Sequence, residues 1–97
     1  MLTYVFKALG DPTRRRILEL LCDRDLTPTE ILRELNITQP TLSHHLDILK
    51  RANLVTSERE GQFIRYSLNM GVLEMALKYI MGFLSRREDG GQVELAA

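Results

Sequence analysis

Ninety-seven residues, 44% hydrophobic and 27% charged, describe one soluble domain with one modest core, which excludes wholesale disorder and two independent cores. Thirteen basic and thirteen acidic side chains cancel to a formal net charge of zero, so any basic surface must come from how Lys and Arg are distributed. A single cysteine, Cys22, excludes an intrachain disulfide and any site needing two thiolates from one chain, and it suits a reducing compartment.

Residues 3 to 9 place Val5, Phe6 and Leu9 at helical spacing, with Tyr4 and Ala8 beside them, and predict a short first helix ending at Gly10. The same N-terminal stretch, MLTYVFKALG, has no charged head followed by a long apolar run, and nothing approaches ~18 consecutive apolar residues. A cytoplasmic protein without membrane insertion is expected. Asp11-Pro12 restarts the chain, Asp as N-cap and Pro as first helical residue, and the second helix runs to about Cys22 with Ile17, Leu18, Leu20 and Leu21 on its buried side. Arg14, Arg15 and Arg16 crowd its first turns, where the helix dipole disfavours positive charge. Two readings stand for them, a solvated face or a phosphate clamp. Cys22 follows Leu20-Leu21 on a core-facing helix and reads as a buried, inert thiol, with Arg24 nearby keeping a redox role open.

Thr27-Pro28-Thr29-Glu30 spells another helix start, with Glu30 three after Thr27 as in a capping box. Ile31, Leu32 and Leu35 form the apolar stripe, and Asn36 is the expected left-handed stop. Only Asn36 and Ile37 then separate this helix from Thr38, and two short helices joined so tightly make a helix-turn-helix. In the second of them, Thr38 to Arg51, Thr38 is the cap and Pro40 lies in the first turn. Leu42, Leu46 and Leu49 share one narrow arc, while Pro40, Thr41, His44, Asp47, Ile48 and Arg51 fall on the other side. Gln39, Thr41, Ser43 and His44, all able to hydrogen-bond, point outward from the first two turns, which is what a reader of base edges needs.

His45 lies toward the apolar arc and reads as a packed, hydrogen-bonded histidine rather than a ligand. Adjacent histidines on a helix are about 100° apart and cannot face one ion from one side, and the three or four converging ligands of a zinc-type site are lacking, so no metal and no cofactor is expected. His44 has no Ser, Cys or Asp partner placed for a relay, and no nucleophile, base and oxyanion set can be assembled, which argues against an enzyme.

Ala52-Asn53 is a second Asn stop. Two extended runs follow, 54 to 60 and 62 to 68, hinged at Gly61; Ile64, Tyr66 and Leu68 alternate with Phe63, Arg65 and Ser67, as in a half-buried strand. A hairpin directly behind a recognition helix is a wing, and its tip collects Glu58, Arg59, Glu60, Gly61 and Gln62. Asn69 can cap a last helix over roughly 70–86, where only Glu74, Lys78 and Ser85 mark a polar stripe. A helix apolar over most of its circumference cannot bury all of itself in so small a chain. A second copy is the simplest cover, and the wide apolar face of the first helix would share that interface. The residues expected there are Val5, Phe6 and Leu9 from the first helix and Val72, Leu73, Ala76, Leu77, Ile80 and Leu84 from the last. Residues 1–86 form the expected domain, and residues 87–97, without hydrophobic period, an expected disordered tail.

With this order in hand, DPTRRRILELL and TQPTLSHHLDILKRANLV followed by the GQFIRYSL hairpin closely resemble the ArsR-type winged-helix repressors, over about Val5 to Leu84. The VFKALGDPTRRRIL opening, the GQFIRYSLN wing and the lack of metal ligands are most similar to the SdpR-type autorepressors within that family. The resemblance implies a mainly α, winged helix-turn-helix fold in the order α-α-α-α-β-β-α. It also implies a homodimer through the first and last helices, binding a near-palindromic double-stranded DNA operator in successive major grooves. Carried over by position, Gln39, Ser43 and His44 would face bases, Thr38 and Thr41 would sit near phosphates, and wing residues Arg59, Gln62 and Arg65 would track the backbone or minor groove. Lys50, Arg51, Arg14 and Arg15 would join Arg59 in attracting phosphate.

Asp47 departs from the family pattern, where Lys is frequent, and a carboxylate there repels phosphate unless it pairs with Arg51 or accepts from a cytosine amino group. Metal-sensing relatives carry cysteines on the helix before the recognition helix, or His and carboxylate groups on the last; here the first of these has no Cys or His and the second offers only Glu74. An anti-repressor protein is a further partner of the kind the resemblance allows. Two rival readings remain at this point: a redox- or ligand-gated repressor using Cys22 or a dimer-interface pocket, and a winged-helix protein-interaction module whose apolar last helix docks another protein.

Overall fold

The computed structural model describes residues 1–90, which form five helices and one hairpin: α1 (Leu2–Leu9), α2 (Pro12–Asp23), α3 (Pro28–Glu34), α4 (Gln39–Arg51), β1 (Val55–Glu60), β2 (Phe63–Leu68) and α5 (Met70–Gly90). Three of the helices begin in the same way. Asp11, Thr27 and Thr38 are extended N-cap residues whose side chains accept from the amides of Arg14, Glu30 and Thr41, and each is followed by a proline in the first turn. Each such cap typically contributes about 1 kcal/mol. At Thr27 the capping box closes fully, since its own amide donates to Glu30 Oε1 at 2.9 Å. The Arg14 amide at Asp11, and the Thr27 amide at Glu30, hold both carboxyls below the usual carboxylate range.

The helix ends diverge. After α4, Asn53 turns left-handed at φ 59°, donating its amide to Lys50 O at 2.9 Å while Leu54 donates to Leu49 O at 3.0 Å. This pair of bonds is the Schellman stop that Asn at this position predicts. Asn36 does not behave likewise, because among the described residues Asn53 alone of the non-glycines has positive φ. Helix α3 ends one residue early, at Glu34, and Leu35 leaves it extended at φ −122°. Leu35 and Ile37 both pack onto the core, and an extended exit is what turns these side chains inward.

One core serves all the helices. Val5 and Ala8 of α1, Ile17, Leu18 and Leu21 of α2, Ile31 of α3, Leu42, Leu46 and Leu49 of α4, Leu54, Val55, and Val72 and Ala76 of α5 enclose one another. Val5, Val72 and Ala76 are thus 0%, 7% and 4% exposed within a single chain, so they are corrected from partner-facing to core residues. The reason lies in α5, whose first turns lie against the body while its later turns leave it; the molecule measures 54 × 24 × 22 Å. Helix α5 also runs on through 87–90, where a tail was expected, because Arg, Arg and Glu sustain a helix and no stop precedes Gly90. The rest of the expected tail, 91–97, lies outside the described residues. No described helix is long and apolar enough to cross a membrane.

Strands β1 and β2 pair antiparallel from Val55↔Leu68 out to Glu60↔Phe63, around a two-residue turn in which Gly61 takes φ 60°. With no Cβ, glycine adopts that conformation at no steric cost. A third segment joins them: Leu26 and Tyr66 exchange both backbone hydrogen bonds, at 3.1 and 2.8 Å. That bridge ties the base of the hairpin to the α2–α3 connection. The half-buried alternation expected of β2 is only partly present, since Phe63 and Ile64 are both exposed while Arg65 to Leu68 are half-buried. The outer half of the hairpin projects past anything that could cover it.

Candidate nucleic-acid interface

Helix α4 stands on Leu42, Leu46 and Leu49 and leaves Gln39, Thr41, Ser43 and His44 exposed along its first two turns. Thr38 opens the helix and its hydroxyl donates to Thr41 Oγ1 at 2.9 Å, so these two side chains form one polar cluster at the helix N-terminus. The amide-rich N-terminus and exposed hydroxyls suit a phosphate oxygen. At the other end Lys50 and Arg51 are exposed. Arg51 pairs with Asp47 at 3.1 Å, one turn back, which resolves the electrostatic difficulty raised by that carboxylate. Beyond the helix, the hairpin tip exposes Arg59 and Gln62, with Arg59 Nε donating to Gly61 O at 3.3 Å.

Three other arginines are engaged within the fold. Arg14 donates through Nε to Ala8 O at 2.8 Å and through Nη2 to Lys7 O at 3.2 Å, and Arg15 donates through Nη1 to Leu9 O at 2.8 Å. The last carbonyls of α1 lack following helical amides, with the C-cap Gly10 amide reaching Lys7 O at 3.2 Å, and the next helix starts after two intervening residues, so its first-turn arginines are the nearest side-chain donors. Both arginines thus cap the C-terminal end of α1, and Arg15 remains exposed beside it. Arg65 is held similarly: Nε lies 2.9 Å from Glu60 Oε2, and Nη1 lies 3.6 Å from Glu30 Oε1 and 3.3 Å from Asp25 O. It fastens the wing to α3 rather than reaching outward. Nothing in the local pattern of β2 signals this, since Glu30 and Asp25 are 35 and 40 residues away in the chain.

A test separates fastening from direct contact. Exposed ion pairs contribute little stability, about 0–1 kcal/mol, so Arg65→Met should fold and weaken DNA binding a few-fold by loosening the wing. The slope of log affinity against log salt should stay unchanged, because no phosphate contact is removed. A slope reduced by about one unit would show that Arg65 touches phosphate.

His45 is half-buried between α4 and the start of α2, with Nδ1 3.3 Å from Arg14 Nη1 and 3.9 Å from Asp11 Oδ2. It is the packed, hydrogen-bonded histidine that its place on the helix suggests, and burial holds it below the ordinary histidine value despite the opposing pull of Asp11. His44 beside it is exposed. Cys22 is exposed too, contrary to the buried thiol expected: it lies one position past Leu21, off the α2 arc of Ile17, Leu18 and Leu21. It borders an open hollow of about 300 Å³ with Leu21, Asp25, Leu68 and Met70. Among the described residues no three His, Cys, Asp or Glu side chains converge as a metal site would require.

A helix-turn-helix whose second helix stands proud with polar side chains, backed by a hairpin carrying a cation at its tip, defines a winged-helix DNA-binding protein. The family model for arsR-family bacterial regulatory proteins matches residues 11–57. The transcriptional repressor SdpR of Bacillus subtilis (strain 168) is 46% identical over 85 residues, covering 88% of this chain and 94% of that protein. The arsenical resistance operon repressor of Staphylococcus xylosus is 38% identical, covering 75% of this chain and 70% of that one. In three dimensions the chain is similar to an ArsR-like transcriptional regulator from Rhodococcus sp. RHA1, with TM-score 0.78, 30% identity, and 92% and 87% of the two chains covered. The chain belongs to the ArsR family of bacterial regulatory proteins. It is a DNA-binding transcriptional repressor of that family and not an enzyme.

Proposed function

We propose that the protein works in the cytoplasm as a homodimer that reads a near-palindromic operator without sensing a metal. The observation that carries this reading is an uncovered apolar band on α5: Leu77, Tyr79, Ile80, Met81 and Phe83 are all about half exposed in the single chain. Phe6 of α1 meets Tyr79 with ring centroids 5.9 Å apart, and Tyr79 meets Phe83 edge-on at 5.1 Å, so the two terminal helices present one continuous aromatic surface. Apolar patches of this extent mark association surfaces, and a twofold axis through this one pairs each patch with its own copy. Of the residues expected at the interface, Phe6, Leu9, Leu73, Leu77, Ile80 and Leu84 retain exposed surface for that role, joined by Tyr79 and Phe83.

Dimerisation on that surface sets two α4 helices to enter major grooves about one DNA turn, ~34 Å, apart. Gln39, Ser43 and His44 then face base edges, Thr38 and Thr41 approach phosphates at the helix N-terminus, and Lys50, Arg51, Arg59 and Gln62 supply the outer backbone contacts. Selection of genomic fragments by the purified protein tests this: bound fragments should share inverted half-sites with centres one helical turn apart, and binding should be the same with chelator and with added zinc or other thiophilic metal ions. Enrichment of single, unpaired half-sites would defeat the dimeric reading, and release of DNA on adding a metal ion would defeat the metal-free one.

A further inference from the structure

One guanidinium joins three helices. Arg14, on α2, holds the last carbonyls of α1 through Nε and Nη2 and reaches His45 Nδ1, on α4, through Nη1. Helix α1 belongs to the proposed dimer surface and α4 to the proposed DNA surface, and His45 is the immediate neighbour of base-facing His44. We propose that His45 is a positioning residue: in its neutral form it ties the reading helix to the dimerisation helix through Arg14, and a proton on Nδ1 releases that tie. The inference rests on the dimeric operator reading for its effect on DNA, but not for the tie itself.

The chemistry of the pair leaves one arrangement. A guanidinium only donates, so Nδ1 must offer its lone pair and the imidazole carries its proton on Nε2. Protonation would set an N–H against the Arg14 N–H at 3.3 Å. The groups facing His45 are Arg14 and Asp11 from the start of α2 and His44 from its own helix, while α1 contributes the Lys7 and Ala8 carbonyls through Arg14. Repulsion from Arg14 at 3.3 Å and attraction to Asp11 at 3.9 Å come from like-sized charges at similar distances and largely offset each other. Burial and the lost hydrogen bond then decide, and both oppose the proton. The sign follows. The His45 value in the folded protein lies below the ordinary 6.5, so its contribution is complete above about that pH and is lost as pH falls through the folded value.

His44, exposed on the proposed reading face, is common to the wild type and the variant compared below. Only the difference between two proteins sharing His44 is therefore informative. In His45→Asn the amide oxygen occupies about the place of Nδ1 and accepts from Arg14 at every pH. Melting temperature without DNA should fall between pH 7.5 and 5.5 more steeply for the wild-type protein than for His45→Asn. Operator affinity should fall roughly threefold to tenfold further in the wild type over the same range. In the wild-type protein alone, nitrogen-15 NMR should show His45 as the Nε2–H tautomer at pH 7.5, titrating below 6.5. Coincident melting profiles, an equal loss of affinity in both proteins, or an Nδ1–H tautomer would each overturn the proposal. The melting and NMR measurements decide on the tie without DNA, so failure of the wild type to bind an operator at pH 7.5 would count against the operator reading alone.

Discussion

Leu77→Glu and Ile80→Glu proteins should each elute as folded monomers and lose ~100-fold or more in operator affinity, the order of gain that linking two binding events provides. Both side chains are about half exposed in the single chain, at 58% and 47%, so the fold itself has little reason to reject a carboxylate at either position. In the proposed dimer the same carboxylate would be pressed against aromatic and aliphatic groups without a partner. An unpaired buried charge is costly enough to separate the copies. Each monomer then carries one reading helix and engages one half-site, without the raised effective concentration that a second helix on the same scaffold supplies. Circular dichroism should remain helical, and light scattering should report the mass of one chain. Ala76→Glu is a poor substitute, since Ala76 lies in the chain's own core and its replacement would unfold the protein before addressing assembly. Two intact dimers from Leu77→Glu and Ile80→Glu would remove α5 from the interface.

The second large effect concerns sequence discrimination. Gln39→Ala should lose roughly 1–3 kcal/mol of preference at one base position in each half-site, while the dimer and the salt dependence of binding remain as they were. Lys50→Ala is the companion measurement: it should weaken all sequences alike and lower the salt slope, because a phosphate contact carries charge and no base information. Gln39 is exposed at the first helical position of α4, where a long amide side chain can reach a base edge without disturbing Leu42 beneath it. Operator selection that returns the same consensus for wild type and Gln39→Ala would show that α4 meets the groove on another face.

Much of this architecture is legible in short stretches of the chain. The starts at Asp11-Pro12, Thr27-Pro28 and Thr38-Gln39-Pro40, the Leu42/Leu46/Leu49 arc, the Asn53 stop and the Gly61 turn each depend on residues within a few positions of one another. Their physics is local: a side-chain oxygen reaching an amide three residues on, or a period of 3.6 selecting one face. The exposed row on α4 follows from the same arc, because the side chains off it are left to solvent. Asn36 shows the limit of such reasoning, because its capacity for a left-handed stop went unused once Leu35 and Ile37 had a core to reach.

What only the tertiary structure decided are the pairings between distant groups. Arg14 and Arg15 cap α1, His45 meets Arg14 31 residues away, Leu26 pairs with Tyr66, and Arg65 is held by Glu60, Glu30 and the Asp25 carbonyl. The division of apolar residues is of the same kind: Val5, Val72 and Ala76 go to the core, while Leu77 and Ile80 are left outside. Residue type and spacing determined that these side chains could donate, accept or be buried. The meeting of the terminal carbonyls of α1 with the first turn of α2, and the place where α5 parts from the body, exist only once the helices have packed, and they decided which arginines are engaged within the fold and which apolar groups stay exposed.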